Sequence, residues 1–192
     1  MKILAVGAHV DDIELFCGGT LLRAINEGHE VRTIVCASCG SRRVKEQKIA
    51  NKFLGITKCY FFGLPDGNLS HGQRLVGKID KVVEKYQPDI VFSHCENDHH
   101  QDHVAVAKSV RASNRAWSFN WLTYSSYDLR ASFKCNLFVN IDKYFVKKLD
   151  LLKVFKSQKD KWYFAPHAIL SRSIGTNIGK YVEGFKVEVL WA

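Results

Sequence analysis

Lys2-Ile3-Leu4-Ala5-Val6-Gly7-Ala8-His9-Val10-Asp11-Asp12-Ile13-Glu14 decides how the rest of the chain is read. Lys2–Ala8 is a short apolar run without polar alternation, the pattern of a strand buried on both faces. It breaks abruptly into a histidine and three carboxylates. The same unit then recurs. Gly18–Asn26 carries helical spacing through Leu21, Leu22 and Ile25, and Gly28 stops it. Val31–Ala37 is a second apolar run, rich in β-branched residues. Arg43–Leu54 is a helix with Val44, Ile49, Ala50, Phe53 and Leu54 inward, closed by Gly55. Cys59–Phe62 is a third strand. Gln73–Tyr86 has apolar residues at 75, 76, 79, 82, 83 and 86, a regular helical stripe ended by Pro88. Asp89–His94 is a fourth strand, and His103–Ala116 is helical again. Continuous apolar strands alternating with amphipathic helices mean a parallel sheet covered on both faces. Right-handed crossovers make it an α/β, Rossmann-like, doubly wound and mostly parallel sheet. The last third is less regular. Trp121–Tyr127, Leu137–Ile141 and Lys180–Trp191 read as strands and Lys143–Ser157 as a helix.

The chain has 192 residues, the length of one domain, and no internal repeat, so 1–192 is expected to be a single domain. Hydrophobic residues are 46% and charged residues 24%, which excludes disordered and collagen-like classes. No run of 18 apolar residues exists, so no transmembrane segment is expected. The apolar start is too short, and too soon charged, for a signal peptide. A cytoplasmic protein, peripheral to a membrane at most, is therefore expected. Six cysteines (17, 36, 39, 59, 95, 135) without a secretory signal are expected to be free thiols. Cys36-Ala-Ser-Cys39 has redox spacing, but Cys36 ends an apolar run and no second pair follows. Lys and Arg total 28 against 19 Asp and Glu, a balance of +9 that favours anionic partners. No block of like charges marks a nucleic-acid tail, and no nucleic-acid partner is expected. Trp117, Phe119 and Trp121 beside Arg111 and Arg115 suit base stacking less well than a wall for a sugar ring or the edge of the core.

In an open parallel sheet, ligands bind beyond the carboxyl ends of the strands. Three polar clusters fall there. His9 to Glu14 follow the first strand, Cys39-Gly40-Ser41-Arg42-Arg43 the second, and His94 to His103 the fourth. Five of the eight histidines lie in the first and third clusters. Histidine and carboxylate donors without thiolate suit a catalytic zinc, or a similar divalent metal, with an open position. His9 and Asp12, three residues apart, can converge, with a third ligand from the other loop. Asp11, between them, can stay off the metal as a general base. The competing reading is that Asp11 and Asp12 cap the helix that follows. A Gly-x-Gly-x-x-Gly turn after the first strand, a phosphate-binding P-loop and a Gly-x-Ser-x-Gly elbow are all missing from the sequence.

These residues carry a resemblance. Ala8-His9-Val10-Asp11-Asp12-Ile13-Glu14 followed by Gly18-Gly19 resembles the Ala-His-Pro-Asp-Asp-x-Glu signature of the PIG-L/LmbE-like de-N-acetylases. Asn97-Asp98-His99-His100-Gln101-Asp102-His103 resembles that family's Asn-Asp-x-His-x-Asp-His. Arg43 to Glu46, with Leu54-Gly55, is similar to its Arg-x-x-Glu helix, and Leu64-Pro65-Asp66-Gly67 to its Pro-Asp-Gly turn. Phe133, Asn136, Val139 to Ile141, Ser157-Gln158 and Tyr181 to Phe185 also sit in family-like places, so the similarity spans nearly the whole chain. Val10 stands where the family has Pro, Ile13 where it often has an acid, and Lys134 and Asn140 where it has Pro and Asp. None of these removes a catalytic group.

The resemblance implies a metal-dependent hydrolase that removes the acetyl group of an N-acetylated amino sugar conjugate. It makes His9, Asp12 and His103 the ligands of zinc or another divalent metal, and Asp11 the general base. His100 is the expected oxyanion donor, kept protonated by Asp102. Arg43 matches the family's sugar-binding arginine. Asp66, Asn97 and Asp98 are also expected to meet the substrate, a small-molecule or lipid-linked N-acetyl sugar that the charge suggests is anionic. Self-association into a homo-oligomer is compatible with all of this. The alternatives are a related amide hydrolase, such as an amino-sugar deformylase, and a non-catalytic sugar- or nucleotide-binding module on the same sheet.

Overall fold

A computed structural model describes residues 1–124, 133–160 and 178–191. The elements run β1 (Lys2–Gly7), α1 (Asp12–Asn26), β2 (Glu30–Ala37), α2 (Gly40–Leu54), β3 (Lys58–Leu64), α3 (Gln73–Tyr86), β4 (Ile90–His94), α4 (Gln101–Trp117), β5 (Asn120–Tyr124), β6 (Leu137–Asn140), α5 (Phe145–Leu152) and β7 (Val182–Val189). The strands form one seven-stranded sheet in the order β3-β2-β1-β4-β5-β7-β6. β1 to β5 pair in parallel, while β7 is antiparallel to both β5 and β6. This is the expected doubly wound α/β sheet. Its strand order reverses between β1 and β4, so the loops after those two strands open into one crevice.

α3 occupies its expected range because one side of it, Leu75, Ile79, Val82, Val83 and Tyr86, is buried. α1 starts six residues before the expected Gly18. Residues Asp12 to Leu22 are all buried, so the helix has no polar face for a periodicity to detect. The helix expected over Lys143–Ser157 ends at Leu152. Beyond it the Ser157 amide and hydroxyl donate to the Glu46 carboxylate of α2, at 3.0 and 2.5 Å, and the chain leaves the helical path. β5 ends at Tyr124, and residues 125–127 of the strand expected there lie outside the described residues. Among the described residues, no helix is long and apolar enough to cross a membrane.

The antiparallel end is locked to the parallel part through α1. Glu183 of β7 accepts hydrogen bonds from Gly19 N–H at 2.9 Å and Thr20 N–H at 2.6 Å, and pairs with buried Lys148 of α5 at 2.7 Å. A Cβ at Gly19 would lie 2.7 Å from Ile141 Cδ1. Only glycine permits that approach. Cys17, Cys36, Cys39, Cys59, Cys95 and Cys135 are all free.

Candidate metal centre

The chain turns sharply after β1. Asp11, at the N-cap of α1, has φ 89°, a left-handed conformation that costs a non-glycine residue about 1–3 kcal/mol. Its side chain makes no capping hydrogen bond. The capping reading of Asp11 thus fails, and the turn instead aims Asp11 and Asp12 in different directions. Asp11 N–H donates to Gln47 Oε1 at 3.3 Å, and Arg43 Nη2 donates to the Val10 carbonyl at 2.8 Å and to Asp11 Oδ1 at 3.4 Å. Asp11 Oδ2 is buried and has no hydrogen-bond partner among the described residues.

Asp12 faces inward. Its Oδ2 accepts from His9 N–H at 2.7 Å and lies 3.0 Å from His94 Nε2, 3.5 Å from His9 Nδ1 and 3.6 Å from His103 Nε2. His103 reaches in from the first turn of α4, and its Nδ1 lies 3.1 Å from Asp98 Oδ2. Asp98 therefore orients the ring so that Nε2 faces Asp12, the arrangement by which a carboxylate fixes a ligating histidine. Three groups have donor atoms within 4.8 Å of one another: His9–Asp12–His103, His9–His100–Asp102 and His94–Asp98–His103. The first is the expected ligand set, and all three of its members are buried. Its nitrogen and oxygen donors fit a divalent metal with an open position.

The electrostatics of the site set neighbouring groups against one another. Burial opposes the charge on His9, but Asp12, Asp102 and Asp66 outweigh it and raise the imidazole to about 9. Burial likewise opposes the charge on Asp12, but His103, His94 and His9 hold its carboxyl well below the usual range. Asp11 goes the other way: burial and the charge of Asp12 push it well above the usual range, against the pull of Arg43. Two adjacent carboxylates are thereby separated into a charged one and one poised to hold a proton.

The remaining candidates divide. Asp102 lies at the site, but the expectation that it keeps His100 protonated fails. Its carboxylate accepts from Gly67 N–H at 2.8 Å and Leu69 N–H at 2.9 Å, and lies 3.0 Å from His9 Nε2. It ties the Pro65-Asp66-Gly67 turn to the site. His100 takes the Asp102 backbone N–H on Nδ1 at 3.2 Å, and burial together with His103 lowers its pKa. Its Nδ1 is the acceptor in that bond, which leaves Nε2 as the nitrogen free to donate. Asp66, about half exposed, lies 3.1 Å from His9 Nε2 at the rim. Asp98 is fully buried behind His103 and bonds the His100 N–H at 2.9 Å, which corrects its expected contact with substrate. Asn97 points to a separate cavity of about 500 Å³ lined also by Arg111, Trp121 and Lys186. Arg42 lies outside the site, its side chain 73% exposed and 3.6 Å from Glu46. Phe119 and Trp121 are buried, as expected of residues at the edge of the core, and Trp121 also borders the cavity at Asn97.

Gln47 was not singled out from the sequence, and His94 was placed in the third cluster without a role. Gln47 is fully buried, and only its helical spacing from Arg43 hints that it faces the same crevice. His94 ends β4 beneath Asp12 and stacks on His103 at 3.8 Å. Burial and His103 lower it to about 4, so it is a neutral partner of Asp12.

Proteins of known structure share this fold. N,N'-diacetylchitobiose deacetylase from Pyrococcus horikoshii superposes with a TM-score of 0.83 at 23% identity, over 97% of this chain and 83% of that one. The 4-carboxy-2-hydroxymuconate hydratase GalB from Pseudomonas putida KT2440 superposes with a TM-score of 0.85 at 15% identity, over 100% of this chain and 97% of that one. A deacetylase and a hydratase therefore share the architecture, and the fold alone does not select a reaction. Sequence is more selective. The chain is 30% identical over 169 residues to YaiS, an uncharacterized deacetylase of Escherichia coli (strain K12), covering 81% of this chain and 90% of the relative. The family described as PIG-L, GlcNAc-PI de-N-acetylase, matches residues 4–114, which hold both loops of the site, and the chain belongs to that family.

Proposed function

We propose that the protein is a divalent-metal-dependent, zinc-type hydrolase that removes the acetyl group from an N-acetylglucosamine-type conjugate, releasing acetate and the free amine. The observation that carries this reading is the convergence of His9, Asp12 and His103 with Asp11 Oδ2 buried and unpartnered beside them. His9, Asp12 and His103 would hold the metal, which when bound would supply Lewis acidity toward the acetamide carbonyl and lower the pKa of a nearby water to about 7. Asp11 Oδ2 takes the proton of the attacking water, and the same proton then reaches the departing amine nitrogen. His100 donates from Nε2 to the oxygen that becomes negative. Asp98 orients His103, and Asp102 fixes the turn carrying Asp66. Arg43 and Asp66 stand at the rim of the site, where the sugar hydroxyls would lie.

The test is metal analysis of the purified protein by mass spectrometry. It is followed by assays of amine and acetate release from N-acetylglucosamine, N,N'-diacetylchitobiose and a phosphorylated N-acetylglucosamine. One metal per chain and equal release of amine and acetate are expected. Formate in place of acetate from the matching N-formyl sugars would make the enzyme a deformylase. A metal-free protein that binds sugar without turnover would make it a binding module.

A further inference from the structure

The backbone of Asp11 is unusual for its place. Gln87 and Ser118, the other non-glycine residues at positive φ among the described residues, close the C-terminal ends of α3 and α4, where a left-handed residue is an ordinary stop. Asp11 opens a helix, where the N-cap residue is normally extended. Something must hold it, and a single side chain meets its N–H. Gln47 Oε1 accepts that N–H at 3.3 Å. The Gln47 amide cannot turn around, because both hydrogens of its NH₂ are committed to acceptors, Glu14 Oε1 at 2.5 Å and Asn51 Oδ1 at 3.1 Å. The carbonyl is therefore left facing Asp11. Gln47 sits on α2 one turn beyond Arg43, which holds the Val10 carbonyl and Asp11 Oδ1. Two residues of one helix thus grip the turn on either side of the Val10–Asp11 peptide.

We propose that Gln47, set by Glu14 and Asn51, is a positioning residue for Asp11: it holds the strained turn that aims Oδ2 at the attacking water. The inference rests on the role given to Asp11 above. Gln47 touches neither metal ligand nor substrate, so its effect should pass through Asp11 alone.

The experiment is a double-mutant cycle on the metal-loaded enzyme, with N,N'-diacetylchitobiose or the best substrate of the panel above. Gln47→Met keeps the length of the side chain and removes the acceptor. It is expected to lower kcat by up to about 10²-fold, the loss that a displacement of about 1 Å can bring, with KM and bound metal unchanged. In an Asp11→Asn background the same substitution should cost nothing further. The exchange Gln47→Glu with Glu14→Gln keeps the net charge, the acceptor for Asp11 N–H and a donor between positions 14 and 47. It should recover most of the rate, and it serves as the deciding variant if Gln47→Met does not fold. An unimpaired Gln47→Met enzyme overturns the inference, as does an exchange variant that folds but stays as slow as Asp11→Asn. Equal losses from Gln47→Met in the wild-type and an impaired Asp11→Asn background overturn this inference alone. A full rate in Asp11→Asn itself overturns the base assignment and this inference with it.

Discussion

Two clusters of buried charge meet α1, one at its N-terminus and one at Gly19 and Thr20, and they are built differently. Glu183 and Lys148 form a closed set: the carboxylate accepts two backbone N–H groups of α1 and the ammonium of Lys148. The cluster at the β1 and β4 loops is left open. Asp11 has a strained backbone and a buried oxygen without a hydrogen-bond partner among the described residues, and near it His9, His94 and His103 pair with Asp12, Asp66, Asp98 and Asp102. Burying charge is costly in both places. The closed set offsets that cost with hydrogen bonds to both carboxylate oxygens and joins two parts of the sheet. The open set keeps its cost in a form that a metal and a reacting water would relieve, as strained functional sites do.

Breaking the open cluster should cost activity while leaving the fold intact. The largest effect is expected from Asp12→Ala and His103→Ala, each of which removes a proposed ligand. Bound metal should fall to background and turnover should vanish, while the circular dichroism of native protein is retained. Undiminished metal in both variants would reject the ligand set. Next comes Asp11→Asn, which keeps size and a tolerance for positive φ. kcat is expected to fall about 10²–10⁴-fold with metal still bound, the range a general base contributes. KM should change little because the lost interaction belongs to the transition state. The melting temperature should hold or rise, since a buried, poorly solvated carboxylate is removed.

The closed cluster should respond in the opposite currency. Glu183→Ala leaves the Lys148 ammonium buried without a partner and is expected to lower unfolding free energy by about 3–5 kcal/mol. Urea titration measures that loss, and kcat per folded molecule should be unaltered. His100→Ala returns to the open cluster with a loss in kcat of about 10²–10³-fold, the worth of an oxyanion donor. The smallest effect sharpens the contrast. Lys148→Met with Glu183→Gln removes both charges yet keeps an acceptor for the α1 amides, and it should cost about 1 kcal/mol, a net hydrogen bond's worth. A double variant as unstable as Glu183→Ala would show that the charge itself, and not the orphaning of a partner, matters.

The four strand–helix alternations were readable because each strand from β1 to β4 is an apolar run and α3 buries a single stripe. α1 resisted because it is buried on every side, and the helix expected to reach Ser157 stopped short because Glu46, over a hundred residues away, captures that residue. The convergence of His9, Asp12 and His103 was legible from donor type and placement at strand ends. Asn97 and Asp98 were not separable, although one faces a different cavity and the other lies behind a ligand. Adjacent residues in an irregular loop follow no period that tells which way each points.

Local sequence therefore determined the sheet type, the edge that carries chemistry and the donors available there, because hydrophobic period and residue chemistry act over a few residues. Only the tertiary structure decided that Asp102 serves His9 and the Gly67–Leu69 turn, that Gln47 faces Asp11, and that Glu183 reaches into α1. These partners are 33 to 36, 93 or 164 residues apart. What brings them together is the packing of helices onto a sheet whose strand order reverses between β1 and β4, and no short stretch of sequence encodes it.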